Sequence, residues 1–326
     1  MSPLIRPPWS RSSGGRWISA QPVPCSTLRL AILFLLENGG SAFWREIENH
    51  LLKHGVRFQT AKGARIMLKN YNFVREEKNK RFVLSDWVYK ILEDKNSKED
   101  MLLTLATGIL SGGYSSRIEP TGELMGTRLM IYGLRKISAK GHNMISLEEL
   151  ALEIGQKDVV AINCIKQLLD QPTTEKDPYA LGIIESVDAS DPKRSLIRFD
   201  GEIEERLRAY QVSIMSKYLC HIISRIIQEK YGVEIKTAIE KNLNIINVQA
   251  IREALRDFPE IWVDENERDE LVRKVTEDYY NYVWWSADRA VGGVGLSGDQ
   301  GYTYLKVTKE PFYIPLKNPY HFDIIF

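Results

Sequence analysis

The chain has few cysteines, no long apolar run and no nucleotide-binding signature, and each absence removes a class of function. Its cysteines, Cys25, Cys164 and Cys220, stand singly without a CxxC pair. This argues against a disulfide framework or a structural zinc site and favours a reducing, cytoplasmic compartment. The longest apolar run, Leu28–Leu36, is interrupted by Arg29 and is far too short to span a bilayer, so no membrane partner is expected. No GxxxxGK[ST] is present, which excludes a P-loop ATPase.

Sequence motifs that would indicate catalysis are also scarce. His50 and His54 share a helix face at i, i+4, but no glutamate is placed for an HExxH zinc motif. Gly293–Gly298 matches GxGxxG without a preceding βαβ pattern, so we interpret it as a turn. A nuclease-type Glu-x-Lys triplet occurs at Glu234–Lys236, with Asp200 as the candidate acidic partner for Mg²⁺. We therefore predict no cofactor and no catalytic residue, and keep a divergent Mg²⁺-dependent nuclease as an alternative.

The formal net charge of +1 hides an asymmetry between the beginning of the chain and the rest. Residues 1–92 carry 15 lysines and arginines against 6 acidic residues, a net charge of +9. The remaining residues carry 29 against 37, a net charge of −8. A basic segment followed by a mildly acidic region is typical of a module that binds phosphate groups joined to a region that binds protein.

Residues 26–92 show a pattern of three helices followed by a hairpin with a basic tip. The predicted elements are the helices Ser26–Glu37, Ser41–Lys53 and Thr60–Asn70 and the strands Phe73–Glu77 and Arg81–Leu84. This order is the usual plan of a small DNA-reading domain, in which the third helix enters the major groove.

The third of these helices carries cations along one stripe. Lys62, Arg65 and Lys69 fall at i, i+3 and i+7, a spacing that reaches base edges and flanking phosphates from one face. Ala64, Ile66 and Leu68 are expected to face inward. The alternative is a solvated basic face on a protein-binding domain. The predicted DNA-binding residues are Arg57, Lys62, Arg65, Lys69, Lys78, Lys80 and Arg81.

The same order of elements recurs further along the chain. The predicted elements are the helices Leu124–Ile137, Ser146–Ile154 and Asp158–Leu169 and the strands Ile183–Val187 and Leu196–Phe199. Ser146 and Glu149 predict a capping box. In contrast to the first set, the third helix is apolar nearly all round and is expected to expose little beyond Lys166.

The remainder is predicted to be helical with an aromatic end. A long helix is expected at Glu202–Lys230. Asn247–Asp257, a strand at Ile261–Val263 and a helix at Glu265–Trp285 suggest a degraded third copy. The aromatic residues from Tyr279 onward favour a docking surface for a protein partner or a second copy of the chain, with plain core packing as the alternative.

Residues 26–92 resemble winged-helix DNA-binding domains. Phe73-Val74 stand where such domains usually place a Gly-Leu-Ile entry into the wing, and Phe82–Leu84 with Ser85-Asp86 stand where many carry a strand leading to "LTDEG". The resemblance covers about a fifth of the chain. Serial winged helices are also similar to the recognition portions of type IIS restriction endonucleases and to plasmid or phage replication initiators, but no specific family is assigned.

The predicted fold class is mainly α with small β-hairpin wings, as tandem winged-helix domains plus a helical C-terminal region. The predicted segments are a flexible basic arm at 1–24, a DNA-binding winged helix at 25–95, a helical linker and second winged helix at 96–200, a helical domain with a possible degenerate third copy at 201–285, and a Gly/aromatic segment at 286–326.

The leading functional hypothesis is a non-enzymatic protein that contacts double-stranded DNA through its first winged helix. Its body would bind a protein partner or form a homo-oligomer through the aromatic C-terminal region. Regulator, replication initiator and subunit of a DNA-processing or defence complex fit equally. The alternatives are a winged-helix adaptor in a larger assembly and a divergent nuclease or restriction recognition subunit.

Overall fold

The computed structural model of the chain describes residues 22–112, 126–155, 159–172, 177–188, 195–286 and 303–317. Helices dominate the described residues, and three small antiparallel sheets of three strands each accompany them. The predicted fold class, mainly α with small β hairpins, is confirmed. Most of the predicted basic arm and the glycine-rich stretch Gly293–Gly298 lie outside the described residues.

Three modules share one order of elements: helix, strand, helix, helix and two strands. The first module is α1 (Cys25–Glu37), β1 (Ser41–Phe43), α2 (Trp44–Lys53), α3 (Phe58–Asn70), β2 (Val74–Glu76) and β3 (Arg81–Leu84). Two further helices follow it, α4 (Asp86–Ile91) and α5 (Lys98–Leu110).

The second and third modules repeat the order. The second module is α6 (Gly126–Ser138), β4 (Met144–Ser146), α7 (Leu147–Glu153), α8 (Val159–Leu169), β5 (Glu185–Asp188) and β6 (Leu196–Arg198). The long helix α9 (Gly201–Tyr231) separates it from the third. The third module is α10 (Ile235–Glu240), β7 (Ile245–Asn247), α11 (Val248–Ala254), α12 (Glu265–Lys274), β8 (Val283–Ser286) and β9 (Thr303–Lys306).

The last strand of each module lies at the centre of its sheet. The strand orders are β1-β3-β2, β4-β6-β5 and β7-β9-β8, and every pair is antiparallel. In the first module Ala42 of β1 lies opposite Phe82 of β3, and both side chains are buried. The first strand of each module therefore pairs with one edge of this central strand, and the strand that precedes the central one in the module pairs with its other edge.

The first strands correct the sequence-based prediction. Ser41–Phe43 was expected to begin a helix, yet it forms β1, and α2 starts only at Trp44. Glu46 accepts a hydrogen bond from the backbone N–H of Phe43 at 2.7 Å, which marks the true helix start. A strand of three residues is too short to show a period of two, so only its partner strand reveals it.

Two predictions near the end of the chain are wrong. Ile261–Val263 forms no strand, although Ile261 and Trp262 are buried. The helix expected at Glu265–Trp285 stops earlier: α12 ends at Lys274 and passes through one π-helical turn, and the chain then enters β8 at Val283. The aromatic and β-branched residues of β8 favour a strand, which the helical interpretation overlooked.

The described residues form two compact units. The first contains the residues up to Tyr210 together with Pro259–Val263 and Lys317, and the second contains Gln211–Phe258 and the described part of Asp264–Leu316. Within the first unit, α5 is buried along most of its length. No helix in the described part of the chain is long and apolar enough to cross a membrane.

A buried carboxylate joins the first two modules within the first unit. Asp177, on the segment between α8 and β5, accepts hydrogen bonds from the backbone N–H groups of Cys25 and Ser26. Those groups open α1, where the helix itself provides no acceptors. Asp177 therefore caps a helix of the first module from the second, and negative charge at this end also suits the helix dipole.

The predicted capping box of α7 is confirmed. Ser146 Oγ accepts a hydrogen bond from the Glu149 backbone N–H at 3.2 Å, and a Glu149 carboxylate oxygen accepts one from the Ser146 N–H at 2.9 Å. The Ser146 contacts hold the pKa of Glu149 below its usual range.

Removing this cap should destabilise the second module. We expect Ser146→Ala to lower the free energy of unfolding by about 1 kcal/mol, because a backbone donor at the start of α7 loses its acceptor. Ser146→Thr keeps the hydroxyl and should lose far less. Because the folded-state pKa of Glu149 is depressed, its contribution is present at neutral pH and is lost as the pH falls through that pKa. Urea unfolding at neutral and at acidic pH measures both effects, and equal losses for the two variants would contradict the capping role.

Candidate nucleic-acid interface

Helix α3 lies against the core of the first module through one face. Ala61, Ala64, Met67 and Leu68 are fully or almost fully buried. Ile66, which was expected to face inward, is 39% exposed instead. The inward face was thus assigned correctly for two of its three predicted residues, with Met67 taking the place of Ile66.

The predicted cation stripe of α3 is only partly free. A guanidinium nitrogen of Arg65 lies 3.0 Å from one carboxylate oxygen of Glu76 in β2, and Lys69 Nζ pairs with the other oxygen. These contacts, the Lys69 hydrogen bond first, hold the pKa of Glu76 below its usual range. One carboxylate therefore joins the helix to the hairpin and offsets one of these two positive charges.

The third member of the stripe, Lys62, faces a different neighbour. Its Nζ lies 4.3 Å from the ring centroid of Phe58, an exposed residue at the start of α3. Such a cation–π contact leaves the charge uncompensated. Phe58, Lys62 and Ile66 follow each other at i, i+4 and i+8, so the exposed stripe of α3 alternates apolar and basic groups.

The hairpin presents the other predicted cations. Lys78 and Lys80 are exposed at its turn, where Lys80 adopts a positive φ of 63°. Arg81 is half-buried: its guanidinium lies 5.7 Å from the ring centroid of Phe43 and donates to the Ser41 carbonyl at 3.4 Å. Arg57 is exposed immediately before α3.

The seven predicted cations thus form two groups. Arg65 and Lys69 are tied to Glu76, whereas the other five make no ion pair with a carboxylate among the described residues. Sequence reasoning missed the exposed apolar residues between them, Phe43, Phe58 and Ile66. Their helical spacing was visible for Phe58 and Ile66, but apolar residues at that spacing usually mark the core.

The second module carries no comparable surface in its described part. Its third helix, α8, is buried as expected, but Lys166, expected to be exposed, is buried and pairs with Asp170 at 2.9 Å. The pair is an i, i+4 contact at the end of the helix, so the lysine charge is compensated internally. The cations predicted for its hairpin turn, Lys193 and Arg194, lie outside the described residues.

The nuclease alternative finds no support in the geometry. Glu234 is the residue before α10, and Lys236 lies within that short helix, so the triplet does not end a strand. The carboxylate of Asp200 faces the Ile203 N–H at the start of α9. Among the described residues, no group of three His, Cys, Asp or Glu side chains is arranged to hold a metal ion.

The structure also shows where the histidine pair and two residues of the aromatic C-terminal region lie. The rings of His50 and His54 lie 4.2 Å apart on the surface of α2. Tyr280 and Tyr282, predicted for a docking surface, are buried in the second unit, and the Tyr280 hydroxyl donates to the Phe312 carbonyl at 2.7 Å. Burial raises the pKa of both tyrosines. These two tyrosines are therefore core, whereas Tyr279 and Phe312 stay exposed.

No protein-family model and no curated protein matches the chain. Two similar solved structures are an SspB crystal structure at 15% identity and a magnesium ion-bound SspB crystal structure at 14% identity. Both comparisons cover 93% of this chain and 85% of the other, with a TM-score of 0.44. A similarity at this level supports no conclusion, and the function is inferred from the chain's own residues.

Proposed function

We propose that the three modules are winged helices and that the first binds double-stranded DNA, without catalysis, as a regulator, an initiator or a subunit of a DNA-processing complex. One observation carries the proposal: five cations around α3 and its hairpin have no carboxylate partner among the described residues. They are Arg57, Lys62, Lys78, Lys80 and Arg81.

These cations suit a duplex because they come from two elements. Lys62 lies on the exposed side of α3, the helix that enters the major groove in a winged helix. Lys78 and Lys80 at the hairpin turn reach toward an adjacent phosphate backbone. Each phosphate that a cation neutralises releases condensed counterions, so the affinity should fall steeply as salt is added.

Glu76 limits this interface in the free protein. It holds Arg65 and Lys69 toward the hairpin, and only 21% of its side chain is exposed. A DNA phosphate approaching α3 competes with this carboxylate for both cations. In the free protein these two ion pairs hold α3 against the hairpin. The Glu76 charge also lowers the positive potential that a duplex meets.

Removing the Glu76 charge should strengthen duplex binding. We expect Glu76→Gln to raise the affinity for a generic labelled duplex about 5–10-fold near 0.1 M salt and to steepen the salt dependence, because Arg65 and Lys69 become free for phosphates. Fluorescence anisotropy across a salt series measures both quantities. The lost pairs should cost the fold about 1 kcal/mol or less.

Glu77→Gln is the matched control, since Glu77 lies on the same hairpin, is exposed and makes no ion pair among the described residues. It removes the same charge without releasing a cation, so it should change the affinity by only about two-fold. Equal effects of the two substitutions would mean that Arg65 and Lys69 do not meet DNA. A folded wild-type protein that binds no duplex at low salt would refute the proposal itself.

A second candidate function is an adaptor in which the first module binds protein. The pairing of Arg65 and Lys69 with Glu76 favours it, as do the exposed Phe58 and Ile66 beside them. Apolar residues within a partly neutralised surface are typical of the centre of a protein interface. The duplex titration separates the two functions, because an adaptor would bind DNA weakly and with little response to Glu76→Gln.

The other proposed properties follow from the remaining residues. Free thiols at Cys25, Cys164 and Cys220 suit a reducing, cytoplasmic compartment. Among the described residues of the C-terminal region, the groups that stay exposed for contact with a protein partner or a second copy include Tyr279, Val283 and Phe312.

A further inference from the structure

The sheet of the first module has an exposed face that lies opposite Glu76 and its α3 partners. In an antiparallel sheet, residues directly opposite each other share a face, as do residues two apart on a strand. One face carries buried side chains and Glu76, which lies opposite Phe82. The opposite face, here named the outer face, consists of Ser41, Phe43, Arg75, Arg81 and Val83.

Phe43 is the central group of the outer face. It pairs with Arg81 across the sheet, and 45% of Phe43 is exposed to solvent. The Arg81 guanidinium lies 5.7 Å from the centroid of the phenyl ring. With the Arg81 guanidinium over the phenyl ring, the two planar groups form a stack that another planar group can extend.

The charge of this face is positive. None of its five residues is acidic, and Arg75 is exposed without a carboxylate partner in the described part of the chain. The turn that continues from the face carries Lys78 and Lys80, both exposed. Two acidic residues lie next to it: Glu77, whose backbone N–H donates to the Arg81 carbonyl, and Glu46, which accepts a hydrogen bond from the Phe43 N–H. A ligand that suits the face is therefore planar in one part and anionic in another.

We propose that the outer face binds single-stranded nucleic acid, with an unpaired base stacked on Phe43 and Arg81 and the flanking phosphates on Arg75 and the turn lysines. A paired base offers only its edge in the grooves, and a phenyl ring has no donor or acceptor to read that edge. An unpaired base exposes its face, and stacking on aromatic side chains is the usual mode of sequence-tolerant single-strand binding.

Single-strand binding at this face stands apart from duplex binding by α3. The two surfaces use opposite faces of one sheet, because Glu76 and its α3 partners lie on the inner side and Phe43 on the outer side. Lys78, Lys80 and Arg81 serve both proposals, whereas Phe43 belongs to the outer face alone and Lys62 to α3 alone. Substitutions at Phe43 and at Lys62 therefore separate the two activities. If both exist, the first module contacts a duplex and an adjacent unpaired strand together.

The test compares a labelled oligothymidylate of about 20 nucleotides with a generic duplex, using the full chain at low salt. We expect Phe43→Ala and Phe43→Leu to weaken single-strand binding about ten-fold, because a stacked base contributes a factor of about 5 to 150 in affinity. Phe43→Tyr retains the ring and should bind within about two-fold of wild type. Duplex affinity should be unchanged in all three variants.

Phe312→Ala provides a matched control in the second unit. Phe312 is 43% exposed and also has a cation over its ring, with Lys309 Nζ at 5.1 Å from the centroid, so its loss should leave single-strand binding unchanged. The proposal is overturned if wild type does not bind the single strand, or if Phe43→Leu binds like wild type. It is also overturned if Phe43→Ala weakens duplex and single strand equally. Thermal unfolding of each variant confirms that the fold is intact.

Discussion

A variant without the four exposed cations of the proposed duplex interface should bind a generic duplex about 10²–10³-fold more weakly than wild type near 0.1 M salt. It replaces four residues by alanine: Arg57, Lys62, Lys78 and Lys80. Each phosphate contact contributes nearly one unit to the slope of log affinity against log salt, so the slope should fall by up to about four. None of the four is ion-paired among the described residues, so the fold should lose little stability.

The control for this variant removes the same charge elsewhere. It replaces four exposed cations of the second unit that make no ion pair in the described part of the chain: Lys236, Lys241, Arg256 and Lys309. A general electrostatic attraction would weaken equally in both variants, whereas a localised interface responds only to the first. If the two variants lose the same affinity, binding is non-specific and the first module is not the DNA reader.

The largest effect on stability is expected at Phe73, at the entry to the hairpin. Its side chain is fully buried, and its ring centroid lies 5.5 Å from that of Trp87 on α4. Phe73→Ala should lower the free energy of unfolding by about 3–5 kcal/mol, because it removes a large ring and leaves a cavity. Hydrogen exchange of the α3 and α5 amides measures the loss. Phe58→Ala removes an exposed ring from the same module and should change stability by about 0.5 kcal/mol or less.

Gly108 on α5 lies against the Phe73 ring, so a substitution at Gly108 also tests how that ring packs. A Cβ at position 108 would lie 2.3 Å from Cζ of Phe73, so Gly108→Ala forces the ring to move. Alanine favours a helix over glycine by about 1 kcal/mol, yet we expect a net loss of about 1–3 kcal/mol here. In a Phe73→Leu background the ring is gone and most of that loss should disappear. Additive effects of the two substitutions would contradict this direct contact.

The sequence predicted the elements whose signals are local. The strand Arg81–Leu84 and the capping box of Ser146 and Glu149 were identified with their observed bounds. The three-residue strands β1, β4 and β7 were missed, because pairing with a distant strand defines them and no periodicity does. The aromatic segment that enters β8 was assigned to a helix, although its aromatic and β-branched residues favour a strand.

The candidate interface shows a similar limit. Spacing on α3 correctly placed Lys62, Arg65 and Lys69 on the solvent side, but it could not show that Glu76 of another strand lies opposite two of them. The i, i+4 spacing of Lys166 and Asp170 is visible in the sequence, although the lysine was expected to be exposed. Partners on separate elements depend on how those elements pack, which no local pattern encodes.

The position of the last strand in each sheet determines when that sheet can form during synthesis. Because β9 lies between β7 and β8, neither of those strands has a neighbour until Thr303–Lys306 has been made. At about 5–20 residues per second, β7 remains on the nascent chain for seconds with its backbone donors and acceptors unpaired. The first module completes its sheet once Leu84 has been made. It can therefore fold while the sheet of the third module still lacks its central strand, which leaves the edge of β7 unpaired. A chain truncated before Thr303 keeps that edge permanently, and unpaired edges are sites of aggregation.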